Sequence, residues 1–224
     1  MRISQVAARN IFRNKRRSLL SGVAIAVAAM AITLLFSLLA GMKADLSSNL
    51  QTYVSGEIRI RNPRFTEHER VNPLHLALHA PSDLVDAAAG AEGVAAVAPR
   101  IRFPGSIYLG EDSHGAVGLG VDFAREEAFS DFASRLVEGR LPGSEDRGAV
   151  LGAGLADRLG LAVGDTFTVL AQTGTRGSNA MTFTVTGRAR FPVSSFTESH
   201  FLVPLARAQY FLRMPERVTD LLVK

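Results

Sequence analysis

Between Ser18 and Met42 the chain carries no charged residue, reading SLLSGVAIAVAAMAITLLFSLLAGM. As a helix at ~1.5 Å per residue this run is about 37 Å long, enough to cross a hydrocarbon core of about 30 Å with some tilt. Apolar positions four apart continue at Leu46, Leu50 and Val54. They predict that the helix leaves the membrane as a stalk reaching about Tyr53 and stops before Gly56. Ahead of the span, Ile3, Val6, Ala7, Ile11 and Phe12 interleave with Arg2, Arg9, Arg13 and Arg16. That pattern predicts an amphipathic helix lying at the inner membrane interface.

Beyond Gly56 the pattern shortens and becomes mixed. Alternation predicts strands at 57–61, 74–79, 94–98, 100–109, 116–121, 149–151 and 219–223, with another at 200–203. Helical spacing falls at 82–90 with Ser82 as N-cap, at 123–137 as one helix or two short ones, at 153–159 closed by Gly160, and at 205–212. Residues 165–171 and 181–190 read as a hairpin around the glycine-rich tip 173–179. Strands irregularly interleaved with short helices make an α+β domain. The expected organisation is therefore an elbow helix over 1–17, a transmembrane helix over 18–42, a stalk over 43–55 and a mixed α/β extracytoplasmic domain over 56–224. The chain stops inside a predicted strand, and we expect the domain to be truncated there.

Charge sets the orientation. The net charge of +4 is a local feature: six of the 25 basic residues lie in the first 17 positions, and the first acid is Asp45. Arg9, Arg13, Lys15, Arg16 and Arg17 are the candidate membrane-interface residues, and the positive-inside rule places them in the cytoplasm. The remainder of the chain is slightly negative, which argues against nucleic acid as a partner. A cleaved signal peptide is the competing reading, but signal cores run about 7–15 residues. Small residues at Gly22, Ala26, Ala29 and Thr33 share one helical face and predict close packing against neighbouring membrane helices. Leu46 and Leu50 are the candidate stalk contacts.

Candidate chemistry is sparse. Without cysteine there is no disulfide, thiolate metal site or lipid attachment through sulfur. No nucleotide-cradling loop or nucleophile elbow occurs. Gly152 and Gly154 open a helix, but Asp157 stands where a dinucleotide fingerprint needs glycine, so tight packing is the better reading. His75 and His79, four apart on a predicted strand, are about 13 Å apart at ~3.3 Å per residue, too far to share a metal. Arg125-Glu126-Glu127 reads as a solvated helix face. No cofactor, metal or catalytic residue is expected, and the chain does not read as an enzyme.

The stretch 147–165, RGAVLGAGLADRLGLAVGD, resembles a recurrent element of the MacB-like ABC transporter permeases, a family that includes LolC, LolE and FtsX-related proteins. Its marks here are Val150-Leu151-Gly152, Leu155-Ala156, Leu159-Gly160-Leu161 and Val163-Gly164-Asp165. ARNIFRNKRRSLL at 8–20, FTVTG at 183–187 and LVPLARAQYF at 202–211 resemble further family elements. Pro99-Arg100, Gly120-Val121-Asp122 with Glu126-Glu127, and Glu138-Gly139-Arg140 look closest to the lipoprotein-releasing branch. The likeness is weakest over 60–80. The resemblance implies a permease subunit in the cytoplasmic (inner) membrane with its main domain outside. Its implied partners are an ABC ATPase subunit, a second permease subunit, membrane lipid and lipoprotein cargo. It also implies three further spans, so the chain is expected to be a fragment of a four-span permease. The tip 172–180 is short and lacks proline, so direct recruitment of a soluble carrier is not expected. The alternative is a single-span anchored binding or scaffold module with no transport role.

Overall fold

The computed structural model describes residues 15–224. The chain divides into two compact units, one ending at Ser48 and the other running from Asn49 to Lys224. The apolar run is helical as predicted: α1 spans Lys15–Leu50. Among the described residues one helix is long and apolar enough to cross a membrane. Gln51–Ser55 follows as a single π turn, closed by the Gly56 N–H donating to the Gln51 carbonyl at 2.7 Å. Gly56 takes a positive φ of +65°, and a Cβ there would lie 3.1 Å from the Ile58 carbonyl, so only glycine turns the chain here without strain.

The second unit is a mixed α/β domain. In chain order its strands are β1 (Ile58–Ile60), β2 (Leu78–His79), β3 (Val97–Leu109), β4 (Asp112–Val121), β5 (Leu136–Gly139), β6 (Gly148–Gly152), β7 (Thr166–Gln172), β8 (Ser178–Ala189), β9 (His200–Pro204), β10 (Arg217–Val218) and β11 (Asp220–Val223). Its helices are α2 (Pro63–Glu67), α3 (Ser82–Ala89), α4 (Phe123–Ser130), α5 (Ala153–Leu159), α6 (Ser194–Ser199) and α7 (Leu205–Phe211). Six strands close on themselves: β3 pairs β4, β4 pairs β9, β9 pairs β6, β6 pairs β8, β8 pairs β7, and β7 returns to β3. The 13-residue β3 makes closure feasible, because its first half pairs β11 and its second half pairs β7. β5 extends the sheet from β8, and β11 with β1 extends it from β3. Each of the six closed strands thus has a partner on both sides, and the open edges fall on the short strands β1 and β5.

Side chains from one face of the closed strands meet in the main core, while Leu119, Val121, Val150 and Leu202 of the other face pack in a second cluster with Tyr53. Five phenylalanines form a ring of contacts: Phe103 to Phe201 at 5.8 Å, Phe201 to Phe167 at 5.9 Å, Phe167 to Phe183 at 6.1 Å, Phe183 to Phe211 at 6.0 Å, and Phe211 back to Phe103 at 5.9 Å. Four of these are edge-to-face, the arrangement in which a positive ring edge meets a negative ring face. Helix α7 supplies Phe211 and sets Ala208 so close to β4 that a Cβ at Gly120 would lie 2.4 Å from its methyl.

Several predicted elements change. Leu74–Leu76 is a 3-10 turn, with only Leu78–His79 in a strand. Leu74 and Ala77 are both buried, a spacing of three that suits a tight turn and that Leu/His alternation disguised. The helix predicted over 123–137 ends at Ser130, where Asp131 adopts a left-handed φ of 47°, and Leu136–Gly139 is a strand. Helix α3 has Pro81 rather than Ser82 at its N-cap, and no side chain caps it. In place of two predicted strands at 94–98 and 100–109 there is one continuous strand that begins at Val97. β11 lies between β1 and β3, with Lys224 still bonded to Ala96.

Candidate functional site

Arg100 stands on β3 at the point where β4 and β11 flank it, opposite Val121 and Asp220. Its side chain is 3% exposed, yet it is fully engaged. Nε donates to Glu126 Oε1 at 2.5 Å and Nη2 to Oε2 at 2.9 Å, a bidentate pair. Nη1 donates to the Tyr53 carbonyl at 2.6 Å, and Nη2 reaches the Thr52 carbonyl at 3.5 Å. The guanidinium thus grips the backbone of the π turn that follows α1.

Local sequence sets up both halves of this grip. Asp122 caps α4 by accepting from the Ala124 and Arg125 amides at 3.1 and 3.3 Å. Glu126, one turn on, then faces inward with no exposure, and Ser130 Oγ donates to its Oε2 at 2.6 Å. Phe129 and Phe132 lie 5.4 and 5.8 Å from the Arg100 guanidinium carbon. Tyr53 buries its ring against Phe132, Phe191 and Phe196, 6.2, 5.8 and 6.3 Å away. Main chain and side chain of the same turn are therefore anchored independently, one by charge and one by aromatic packing. The Ser130 hydroxyl and the Glu126 carboxylate beside it are both buried, so the pair is closed to a substrate from solvent. The grip fixes the turn to the sheet, because withdrawing the turn would leave buried guanidinium N–H groups without their carbonyl acceptors.

Arg125-Glu126-Glu127 is accordingly not one solvated face. Glu127 is exposed, but Glu126 is sealed. The clue was distributed: Pro99-Arg100 and Glu126-Glu127 each carried the family likeness, but nothing in their spacing disclosed that they pair. In the sequence pattern Tyr53 marks only the end of the stalk.

Of the residues predicted from sequence, Lys15, Arg16 and Arg17 begin α1 and are exposed. Arg9 and Arg13 lie outside the described residues, as does the side chain of Leu50. Gly22, Ala26, Ala29 and Thr33 are exposed along α1, where Thr33 Oγ1 donates to the Ala29 carbonyl at 2.8 Å. Leu46 is exposed on the same helix. Gly152 and Gly154 serve packing of α5 against α6, since added Cβ atoms would lie 2.4 Å from the Thr197 carbonyl and 2.5 Å from Glu198 Oε1. His79 pairs with Arg217 across β2–β10, and His75 sits in the 3-10 turn. His200 is buried with its ring stacked on Phe196 at 4.3 Å, and its Nδ1 is 2.8 Å from the Ser195 carbonyl. Burial pushes its pKa down to about 4. The β7–β8 tip is held down, the Gly174 amide donating to the Leu212 carbonyl at 2.8 Å and Asn179 Nδ2 to the Phe211 carbonyl at 2.8 Å.

The profile of the MacB-like periplasmic core domain matches residues 18–224. Among curated proteins no sequence matches the chain. Solved structures share the fold, two of them as follows. The periplasmic region of MacB from Actinobacillus actinomycetemcomitans superposes with a TM-score of 0.52 at 17% identity, over 74% of this chain and 72% of that one. The extracellular domain of the ABC-type transporter YknZ from Gram-positive bacteria gives a TM-score of 0.50 at 14% identity, over 75% of this chain and 80% of that one.

Proposed function

The chain belongs to the family of MacB-like periplasmic core domains, and from that premise we propose that it is a permease subunit that couples the motion of an ABC ATPase to extrusion of lipoprotein or another amphiphile outside the cytoplasmic membrane. Helix α1 crosses the membrane, its basic N-terminal end stays in the cytoplasm, and the α/β domain works on the far side. Movement passes along 18–42 and the stalk over 43–55 into the domain. The basic elbow meets membrane lipid, Gly22, Ala26, Ala29 and Thr33 pack against neighbouring helices, and a second permease subunit completes the transporter.

The observation that carries this reading is the Arg100 grip. A tether for a surface domain needs only a linker, and polar side chains suffice for one. Here a fully desolvated guanidinium and a buried aromatic ring fasten the turn that follows an apolar helix directly to the central strands. Displacement of that turn is thereby delivered to β3 and α4 rather than lost in slack. The short β7–β8 tip, bonded back onto the end of α7, offers no projecting hook for a soluble carrier. A carrier-independent or LolE-like role suits it better.

Purification of the full chain from the membranes of its own cells in mild detergent tests the proposal. We expect an ABC ATPase and a second permease subunit to be retained, with ATP-dependent release of a lipoprotein after reconstitution into vesicles. Recovery of the chain alone, or hydrolysis without release, would make it an anchored binding module instead.

A further inference from the structure

A second polar cluster lies on the same domain, outside the Arg100 site. A surface cavity of 320 Å³ opens beside β3, lined by Arg61, Phe65, Glu69, Arg70, Asn72 and Arg102 among others. Its charges do not balance. Arg61 Nε pairs with the buried carboxylate of Asp220, and Nη1 lies 2.8 Å from Glu69 Oε1. Arg59 shares the same two acids, at 3.2 Å from Glu69 and 3.5 Å from Asp220. Two acids are thus consumed by two arginines. Arg70 and Arg102 remain, and among the described residues neither guanidinium has an ion pair or hydrogen bond. Both are exposed at the cavity.

The cavity is framed rather than loose. The Arg102 amide donates to Thr219 Oγ1 at 2.9 Å, and its carbonyl accepts from Asn72 Nδ2 at 3.1 Å. The root of Arg102 is therefore held from both sides, and the 69–72 turn is fastened to β3 across the cavity. Arg61 lies over the buried ring of Phe65 at 5.3 Å, which gives the cavity a fixed cationic wall. Arg61's hydrogen bond, with the charges of Arg59 and Arg102, holds Glu69 ionised below its ordinary range against the opposing effect of burial. The local field is positive even where the lining includes an acid.

We propose that this cavity binds a phosphate group, through the guanidinium forks of Arg70 and Arg102 with Arg61 as its inner wall. Two unpaired guanidinium groups call for about two negative charges, which a phosphate monoester or inorganic phosphate carries near neutral pH. Each fork presents several N–H donors in a plane, and a tetrahedral oxyanion offers enough oxygens to engage both. The source is either the free ion or the headgroup of a lipid such as phosphatidic acid.

The test is calorimetric titration of the full chain in detergent with inorganic phosphate, and separately with dihexanoyl phosphatidic acid below its micelle concentration. Sodium chloride at equal ionic strength is the reference. We expect saturable phosphate binding that weakens about tenfold in Arg70→Gln and in Arg102→Gln. It should be lost in the double variant and tightened in Glu69→Gln, which removes the competing carboxylate. A tighter midpoint for phosphatidate assigns the site to a lipid headgroup, and equal midpoints assign it to the ion; both uphold a phosphate site. No binding beyond the chloride reference, or an unchanged midpoint in the double variant with a native near-ultraviolet circular dichroism spectrum, overturns it. The result is independent of whether the chain transports anything.

Discussion

Phe103 and Gly118 face each other across the β3–β4 pair, and the phenylalanine ring occupies the space where the glycine has no side chain. A Cβ built on Gly118 would lie 2.1 Å from the ring. Glycine in a strand interior usually weakens it. Here the missing side chain lets Phe103 join the ring of five phenylalanines that fills the closed sheet.

It follows that Gly118→Ala destabilises the domain by about 1–3 kcal/mol through overpacking, read as a lowered midpoint in urea. Phe103→Leu in the same background should return part of that loss, because the clashing ring is gone. Additive effects of the two substitutions would mean that the pair does not share its space as described.

The Arg100–Glu126 pair makes a prediction that separates structure from transmission. Arg100→Met alone leaves the Glu126 carboxylate buried and unpaired, which costs about 3–5 kcal/mol. The double variant Arg100→Met with Glu126→Leu removes both charges and should recover most of that stability. It still leaves the Tyr53 and Thr52 carbonyls without their donor. We expect the double variant to fold, measured by its urea midpoint, and, on the function proposed above, to leave ATP hydrolysis intact in the assembled transporter while releasing less cargo. Full release would show that the grip is only structural.

The parts legible in the sequence were those with a local cause. Helix α5 closes at Gly160 with a φ of +66°, and Leu159-Gly160 announced it. The apolar run announced α1, and the alternation of Phe167 and Val169 announced β7. The closure of the sheet was not legible, because it depends on pairings such as Gly105 with Ala171 and Val117 with His200 between distant segments. Glu126 was misread for the same reason. An acid between Arg125 and Glu127 looks solvated until the fold brings Arg100 beneath it.

Orientation has its own test in the basic elbow. Replacing Arg13, Lys15, Arg16 and Arg17 with neutral residues removes the charge bias that favours a cytoplasmic N-terminus. Reporter fusions at the C-terminal end should then divide between the two sides of the membrane. A topology that stays single after all four changes would show that the span is oriented by something other than these charges.

His200 predicts how the domain responds to acid. His200 opens β9 opposite Val117 of β4 and its ring is buried against Phe196, so burial disfavours the imidazolium; the Ser195 carbonyl opposes this, and the charge of Arg102 adds to it. The folded pKa of about 4 lies below the unfolded value near 6.5. Between these values the unfolded chain binds the proton that the folded chain refuses. Stability contributed by the neutral ring is therefore intact above about pH 6.5 and declines as pH falls towards 4. At ~1.4 kcal/mol per pH unit, the loss amounts to about 3 kcal/mol. His200→Gln keeps a polar group near the Ser195 carbonyl but cannot titrate. Its urea midpoint should be lower at neutral pH, since the stacking on Phe196 is gone, yet flatter between pH 6.5 and 4. A wild-type midpoint that holds constant over that range, or a variant that falls as steeply, would place the acid response elsewhere.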